Sequence, residues 1–217
     1  MGIHVFLADD HAVVRDGLHF LLDAQPEIHV IGDAANGRAA VQQVQQLKPD
    51  VVVMDISMPE LNGIEATQQI RETCPATQVI ILSMHSSAEY ILRAYQAGAQ
   101  GYLLKESAGM EVVEAVRTVY AGRRYLSHRI AATVLDDYVQ QRQAPQADDR
   151  LERLSRRERE ILQLLAEGKS NAQIAKALSL SQKTVETYRS RLLQKLGISD
   201  LPALTKFAIQ HGLIQID

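Results

Sequence analysis

Residues 51–63, VVVMDISMPELNG, close a run of β-branched residues on one carboxylate, Asp55, and follow it with a turn stiffened by Pro59. A buried strand that ends on an acid puts a charge where burial is costly unless something offsets it. Outward from this stretch, apolar runs of strand length recur at IHVFLA (3–8), IHVIGD (28–33), DVVVMD (50–55), QVIILS (78–83) and GYLL (101–104). Helix-period segments lie between them. The first covers 11–25, with Val13, Val14, Leu18, Leu21 and Leu22 on one side, and others fall near 37–47, 63–73, 87–97 and 107–121. The strands are continuously apolar rather than alternating, which argues for a parallel sheet buried on both faces. Five βα units predict an open, doubly wound α/β fold with right-handed crossovers.

The composition is that of a soluble protein, 46% hydrophobic and 23% charged, and no apolar run approaches the ~20 residues that span a bilayer. The opening MGIHVFLADD lacks the basic-then-apolar layout of a secretion signal. Cys74 is the single cysteine, so no intrachain disulfide is possible, and a reducing cytoplasm is the expected location. The net charge of −3 hides an asymmetry. Residues 1–121 carry 7 Lys/Arg against 15 Asp/Glu, a net −8, whereas 151–217 carry 11 against 7, a net +4. An acidic front and a basic back suggest two domains with different partners.

Beyond residue 121 the pattern becomes purely helical. SHRIAATVLDDYVQQ (127–141) reads as a helix, and RQAPQADDR (142–150) as a polar, proline-containing linker. Ser155 with Glu158 forms a capping box opening a helix that ends at Gly168. Helices over about 171–178, 182–196 (closed by Gly197) and 201–211 follow, the last with Pro202 in its first turn. The domains are thus expected at 1–121 and 150–217, joined by a linker helix and flexible linker over 122–149.

Ligands of open α/β sheets bind at the carboxyl ends of the strands. Here four of those ends carry chemistry: Asp9–Asp10, Asp55, Ser83 and Lys105. Three carboxylates drawn together call for a divalent cation, and oxygen ligands suit Mg²⁺. Such a site fits transfer of a phosphoryl group to a carboxylate. Asp55 would be the nucleophile, Asp9 and Asp10 would hold the ion, and Lys105 and the Ser83 hydroxyl would hold the remaining phosphoryl oxygens. An isolated Asp after a strand is more often a turn former, but four such groups at four strand ends are much harder to dismiss.

LADDHAVVRDGL, VVVMDISMPELNG, VIILSMH and GAQGYLLKES together resemble the motifs of a response-regulator receiver domain of the kind joined to a NarL/FixJ/LuxR-type output domain. The resemblance implies that Asp55 accepts the phosphoryl group. It also implies that Asp9, Asp10, Asp55 and the Ser57 backbone carbonyl ligate Mg²⁺, and that Ser83 and Tyr102 form a switch pair. Where many receivers have a proline after the lysine, this chain has Glu106.

In SNAQIAKALSLSQKTVETYRSRLLQKLG (170–197) a short helix, a tight turn and a longer helix follow one another. Val185, Tyr188, Leu192 and Leu196 make the apolar stripe of the longer helix, and Lys183, Thr187, Ser190 and Gln194 lie opposite. This is the helix-turn-helix arrangement, whose second helix enters the major groove of DNA. LSRREREILQLLAEGKSNAQIAKAL and SQKTVETYRSRLLQKLGI resemble the LuxR-type DNA-binding domain. The expected DNA contacts are Lys183, Thr184, Glu186, Thr187, Arg189, Ser190 and Arg191. Lys183 and Arg191 suit phosphates, whereas Glu186, Thr187 and Ser190 suit base edges. Arg189 stands at the edge of the core stripe and is equally suited to a salt bridge.

The expected function is a cytoplasmic two-component transcriptional regulator, not an enzyme, phosphorylated by a histidine kinase. It would bind a double-stranded DNA operator as a homodimer, with 201–211 as the DNA-domain dimer surface. Two rivals remain at this stage: a Mg²⁺-dependent phosphatase or phosphotransferase, and a constitutive DNA-binding protein whose first domain is only a scaffold.

Overall fold

A computed structural model of the 217-residue chain describes residues 2–127, 129–130, 150–151 and 153–214. The chain divides into two compact units, 1–144 and 145–217. The expected linker 142–150, apart from Arg150, and most of the expected helix 127–141 lie outside the described residues.

The first unit is built on β1 (Ile3–Ala8), β2 (Ile28–Ala34), β3 (Val51–Asp55), β4 (Gln78–Ser83) and β5 (Gly101–Leu104). Between and after them run α1 (Ala12–Asp23), α2 (Gly37–Leu47), α3 (Gly63–Thr73), α4 (Ala88–Gln96) and α5 (Ala108–Tyr120). A sixth strand, β6 (Tyr125–Leu126), pairs parallel with β5 and completes the order β2-β1-β3-β4-β5-β6. The sequence had offered only five strands. Two residues carry no period, and these two are placed by the ladder of their neighbour, with Gly101 opposite Tyr125 and Tyr102 opposite Leu126. Buried side chains pack on both faces of the sheet, as the continuous apolar runs require. Val52, Met54, Ile81 and Tyr102 belong to one core, and Val51, Val53, Ile80 and Leu103 to the other.

One expected face is corrected. In α1, Leu18 and Leu22 are buried, but Val13 is 84% exposed and stands with Phe20, 78% exposed, on the outer side. At 100° per residue Val13 lies about 140° from Leu18, too far round to share its face.

The second unit contains α6 (Arg156–Ala166), α7 (Asn171–Leu178), α8 (Gln182–Leu196) and α9 (Leu201–Gln210). Ser155 and Glu158 form the capping box in both directions, and Ser170 with Gln173 forms a second one at α7. Gly168 (φ 77°) and Gly197 (φ 65°) occupy the left-handed conformation that helix ends require. Ile161, Ile174, Val185, Leu192, Leu196 and Phe207 are buried in one core shared by all four helices.

Candidate functional site

The carboxyl edge of the first sheet gathers the expected residues. Asp9 follows β1, Asp55 ends β3, Ser83 ends β4 and Lys105 follows β5, and Asp9, Asp55 and Ser83 are each at most 2% exposed. Lys105 Nζ stands 2.8 Å from Asp9 Oδ2 and 2.9 Å from Asp55 Oδ2. One ammonium therefore serves two buried carboxylates. Burial and the negative charge of Asp9 push the Asp55 carboxyl up to about 6, against the opposing pull of Lys105 and the Ser57 backbone N–H. Burial disfavours the Lys105 ammonium, but the two carboxylates outweigh it and hold its pKa above the ordinary lysine value.

Local sequence explains why Asp55 sits where it does. The loop after it turns back so that Gly63 N–H donates to the Ile56 carbonyl at 2.8 Å. A β-carbon at Gly63 would overlap the Asp55 carbonyl, so only glycine fits this approach. The buried Asn62 then caps α3, its side-chain oxygen accepting from Ile64 N–H at 3.1 Å and Glu65 N–H at 3.0 Å. On the other side, the Arg15 guanidinium donates to the Asp9 carbonyl (2.7 Å) and to Asp33 Oδ2 (2.8 Å), fixing the loop that follows β1. Arg15 is not among the residues expected from the sequence, although its place in the first turn of α1, just after the acid pair, is a signal.

Donor atoms of Asp9, Asp10, His11 and Asp55 lie within 4.8 Å of one another. Asp9 Oδ2 and Asp55 Oδ2 are buried and both face the Lys105 ammonium. A pocket with more carboxylates than cations, offering mainly oxygen donors, fits a hard divalent ion. Ser57 enters through its N–H, which donates to the Asp55 carboxylate.

Ser83 Oγ accepts from His85 N–H at 3.0 Å, and Tyr102 donates its hydroxyl to the His85 carbonyl at 2.8 Å. Tyr102 is fully buried, so its ring already lies inward. The expected switch pair thus meets at the backbone of one residue, and the His85 ring stacks on Tyr90 with centroids 4.2 Å apart. The Lys105–Glu106 bond is trans, as are all peptide bonds among the described residues.

In the second unit, α8 buries Val185, Leu192 and Leu196 and exposes Lys183, Glu186, Thr187, Ser190 and Arg191. Thr184 is turned to the helix start, its hydroxyl 2.8 Å from that of the capping Ser181. Thr187 donates its hydroxyl to the Lys183 carbonyl at 3.0 Å, which leaves an acceptor lone pair and a methyl group facing outward. Arg189 is half-buried and lines a cleft with Lys169, Gln182 and Leu201, apart from the outward face.

Residues 5–117 match the response regulator receiver domain, and residues 152–208 match the LuxR family of bacterial regulatory proteins. The chain belongs to the LuxR-type response regulators. This response regulator is 38% identical, over 97% of its length and 98% of the relative's, to the oxygen regulatory protein NreC of Staphylococcus carnosus. It is also similar to a LuxR-family response regulator from Aurantimonas sp. SI85-9A1, with TM-score 0.62 and 37% identity over 64% of this chain and 99% of that one. A third likeness is to the response regulator RcsB in complex with DNA, with TM-score 0.59 and 25% identity over 95% and 98% of the two chains. The protein is therefore a regulator with a receiver and a LuxR-type DNA-binding domain, and its family regulates transcription. No helix among the described residues is long and apolar enough to cross a membrane.

Proposed function

We propose that Asp55 is the phosphoryl acceptor of this regulator and that its phosphorylation, by a histidine kinase, promotes homodimerisation and operator binding. The observation that carries this reading is the Lys105 ammonium standing within 2.9 Å of both buried carboxylates, Asp9 and Asp55. That arrangement keeps a nucleophilic carboxylate beside a positive charge able to follow the phosphoryl oxygens. An Asp55 oxygen attacks phosphorus, the bond from phosphorus to the donor's histidine nitrogen breaks, and that nitrogen keeps the electron pair and is reprotonated. Asp9, Asp10, Asp55 and the Ser57 carbonyl would hold Mg²⁺, which would supply further positive charge against the phosphoryl oxygens. Lys105 turns from two carboxylates toward the new dianion. Ser83, whose Oγ accepts from His85 N–H, would turn its hydroxyl proton to a phosphoryl oxygen.

A shift of Ser83 toward the phosphoryl group would disturb His85, whose carbonyl holds Tyr102. Ser83 and Tyr102 then act as the switch, and two receiver states of different partner affinity follow as a population shift. We assign the functional domains to 1–121 and 150–217, with 122–149 as the connection between them. Within this connection, Tyr125, Leu126 and Ile130 pack on the receiver cores. We place the protein in the cytoplasm, with the DNA it reads.

On the DNA side, Lys183 and Arg191 contact phosphates and Glu186, Thr187 and Ser190 face base edges. Thr187 offers its methyl group or lone pair, as its own proton is already engaged. Thr184 and Arg189 contribute at the rim, Thr184 through the start of α8 and Arg189 from its cleft. A single module of this size buries too little surface for tight specific binding, which is why dimerisation is part of the proposal.

Intact-mass measurement of wild type and Asp55→Asn after acetyl phosphate, with and without Mg²⁺, tests the acceptor. One phosphoryl adduct, dependent on Mg²⁺ and missing in Asp55→Asn, is expected. An adduct that persists in Asp55→Asn would overturn the assignment.

A further inference from the structure

The pocket holds one ring nitrogen, His11 Nδ1, among its carboxylate oxygens. His11 is the N-cap residue of α1, yet its side chain makes no capping hydrogen bond. Instead, Nδ1 points back at the acid pair, 2.7 Å from Asp10 Oδ1 and 3.2 Å from Asp9 Oδ1. The His11 side chain is 59% exposed, so packing does not force this orientation on it, and a buried structural histidine is excluded. Asp9 is thereby flanked on both sides, with Oδ2 facing the Lys105 ammonium and Oδ1 facing the imidazole.

The spacing lets the ring nitrogen hydrogen-bond the carboxylates, and it is equally that of neighbouring ligands around one ion. Adjacent donors of an octahedral ion with bonds near 2.1 Å stand about 3 Å apart, and the two Nδ1–oxygen separations, 2.7 and 3.2 Å, bracket this value. Asp55 supplies a further donor within 4.8 Å of all three residues. Asp9 Oδ2 and Asp55 Oδ2 share the single Lys105 ammonium, at 2.8 and 2.9 Å, so the carboxylates of this pocket outnumber the cation that faces them.

We propose that His11 Nδ1 is a ligand of the divalent ion in this pocket and that it tunes the site toward first-row transition ions over Mg²⁺. Imidazole is a good donor to transition ions, whereas Mg²⁺ takes oxygen and keeps its waters. The site would therefore hold Mg²⁺ through oxygen donors alone and hold a transition ion through the same oxygens plus the ring. His11 then decides which ion occupies the pocket at a given supply of each. This inference rests on the reading of the pocket as a cation site, and its test separates the two.

The probe is Mn²⁺ added to the full-length protein. Electron paramagnetic resonance of free Mn²⁺ gives the affinity, competition with Mg²⁺ gives the selectivity, and electron spin-echo envelope modulation reports a coordinated ¹⁴N. Wild type is expected to bind Mn²⁺ with a ¹⁴N modulation. His11→Ala is expected to lose it and to weaken Mn²⁺ by about tenfold or more while Mg²⁺ affinity changes little. His19→Ala serves as a control, since His19 pairs with Asp23 on α1 instead, and it should retain the modulation. Mn²⁺ bound by wild type without ¹⁴N modulation would overturn the role of His11 and leave the carboxylate site standing. An equal loss of Mn²⁺ and Mg²⁺ in His11→Ala would overturn it too, making His11 a residue that only positions the acids. No Mn²⁺ uptake by wild type would overturn the cation site itself.

Discussion

The two ends of this regulator keep their charges in opposite ways. In the receiver, Asp9, Asp55 and Lys105 are drawn from three strand ends into one buried cluster, where each charge changes the others. On α8, Lys183, Glu186, Ser190 and Arg191 stand in solvent, and no ion pair among the described residues joins the three charged ones to one another. A site that performs chemistry needs its electrostatics arranged in advance, because water would otherwise screen them. A site that reads DNA needs its side chains uncommitted, because the partner brings the opposing charge. The second unit's own framework does use fixed pairs, as where Lys195 Nζ lies 2.8 Å from the buried Glu158 Oε2. One helix thus keeps a paired charge, Lys195, apart from the solvent-facing Lys183, Glu186 and Arg191.

The largest expected effect is on the preorganised side. Gly63→Ala should destabilise the receiver by about 3 kcal/mol, because a β-carbon meets the Asp55 backbone and the loop must shift. Urea denaturation should show the receiver transition moving while that of the DNA-binding unit stays in place. An unchanged receiver transition would mean that the Asp55 loop is not held by this contact. On the exposed side, Glu186→Ala should relax preference at one base-pair position by about 1–3 kcal/mol. Lys183→Ala should instead weaken all sequences alike and reduce the salt slope by about 0.9. Binding titrations over a salt series distinguish the two, and a sequence-selective effect of Lys183→Ala would break the division between base and phosphate contacts.

Much of this was legible in the sequence, and what was missed has physical causes. Asp55, Lys105 and Ser83 could be read because continuous apolar strands ending in polar groups leave few places for those groups except one edge of a sheet. The capping box at Ser155 and the stop at Gly168 were legible because both are local chemistry. Strand β6 was not, since Tyr125 and Leu126 are placed by β5 and not by any pattern of their own. Val13 was set on the wrong face because apolar type was read without its helical angle, and it shares an exposed side with Phe20. The turn of His11 toward Asp10 was beyond the sequence altogether, because side-chain direction in a loop depends on the tertiary positions of its neighbours.

Smaller effects sharpen the same contrast within the second unit. Ser155→Ala should cost about 1 kcal/mol by removing one half of the capping box, and thermal denaturation should show the loss there alone. No change would mean that Glu158 is held by Lys195 without help from the cap. Glu158 also sets a pH dependence. Burial would raise its pKa, but the bonds to Lys195 and Ser155 outweigh this and hold the carboxyl below its usual 4.5. The folded state thus binds the proton less readily than the unfolded one. This contribution is present above about 4.5 and disappears as the pH falls through the lower folded value. Glu158→Gln should flatten the acid limb of the stability curve, and an unchanged limb would contradict the assignment.

The central claim is that the buried cluster governs the exposed one. Its most direct test uses DNA selected from a random duplex pool by the acetyl-phosphate-treated protein, with affinity measured by fluorescence anisotropy with and without acetyl phosphate and Mg²⁺. The account predicts that treatment tightens binding by wild type by tenfold or more, about 1.4 kcal/mol, and leaves Asp55→Asn unaffected. Equal affinity of treated and untreated wild type, under conditions where the mass adduct forms, would contradict it.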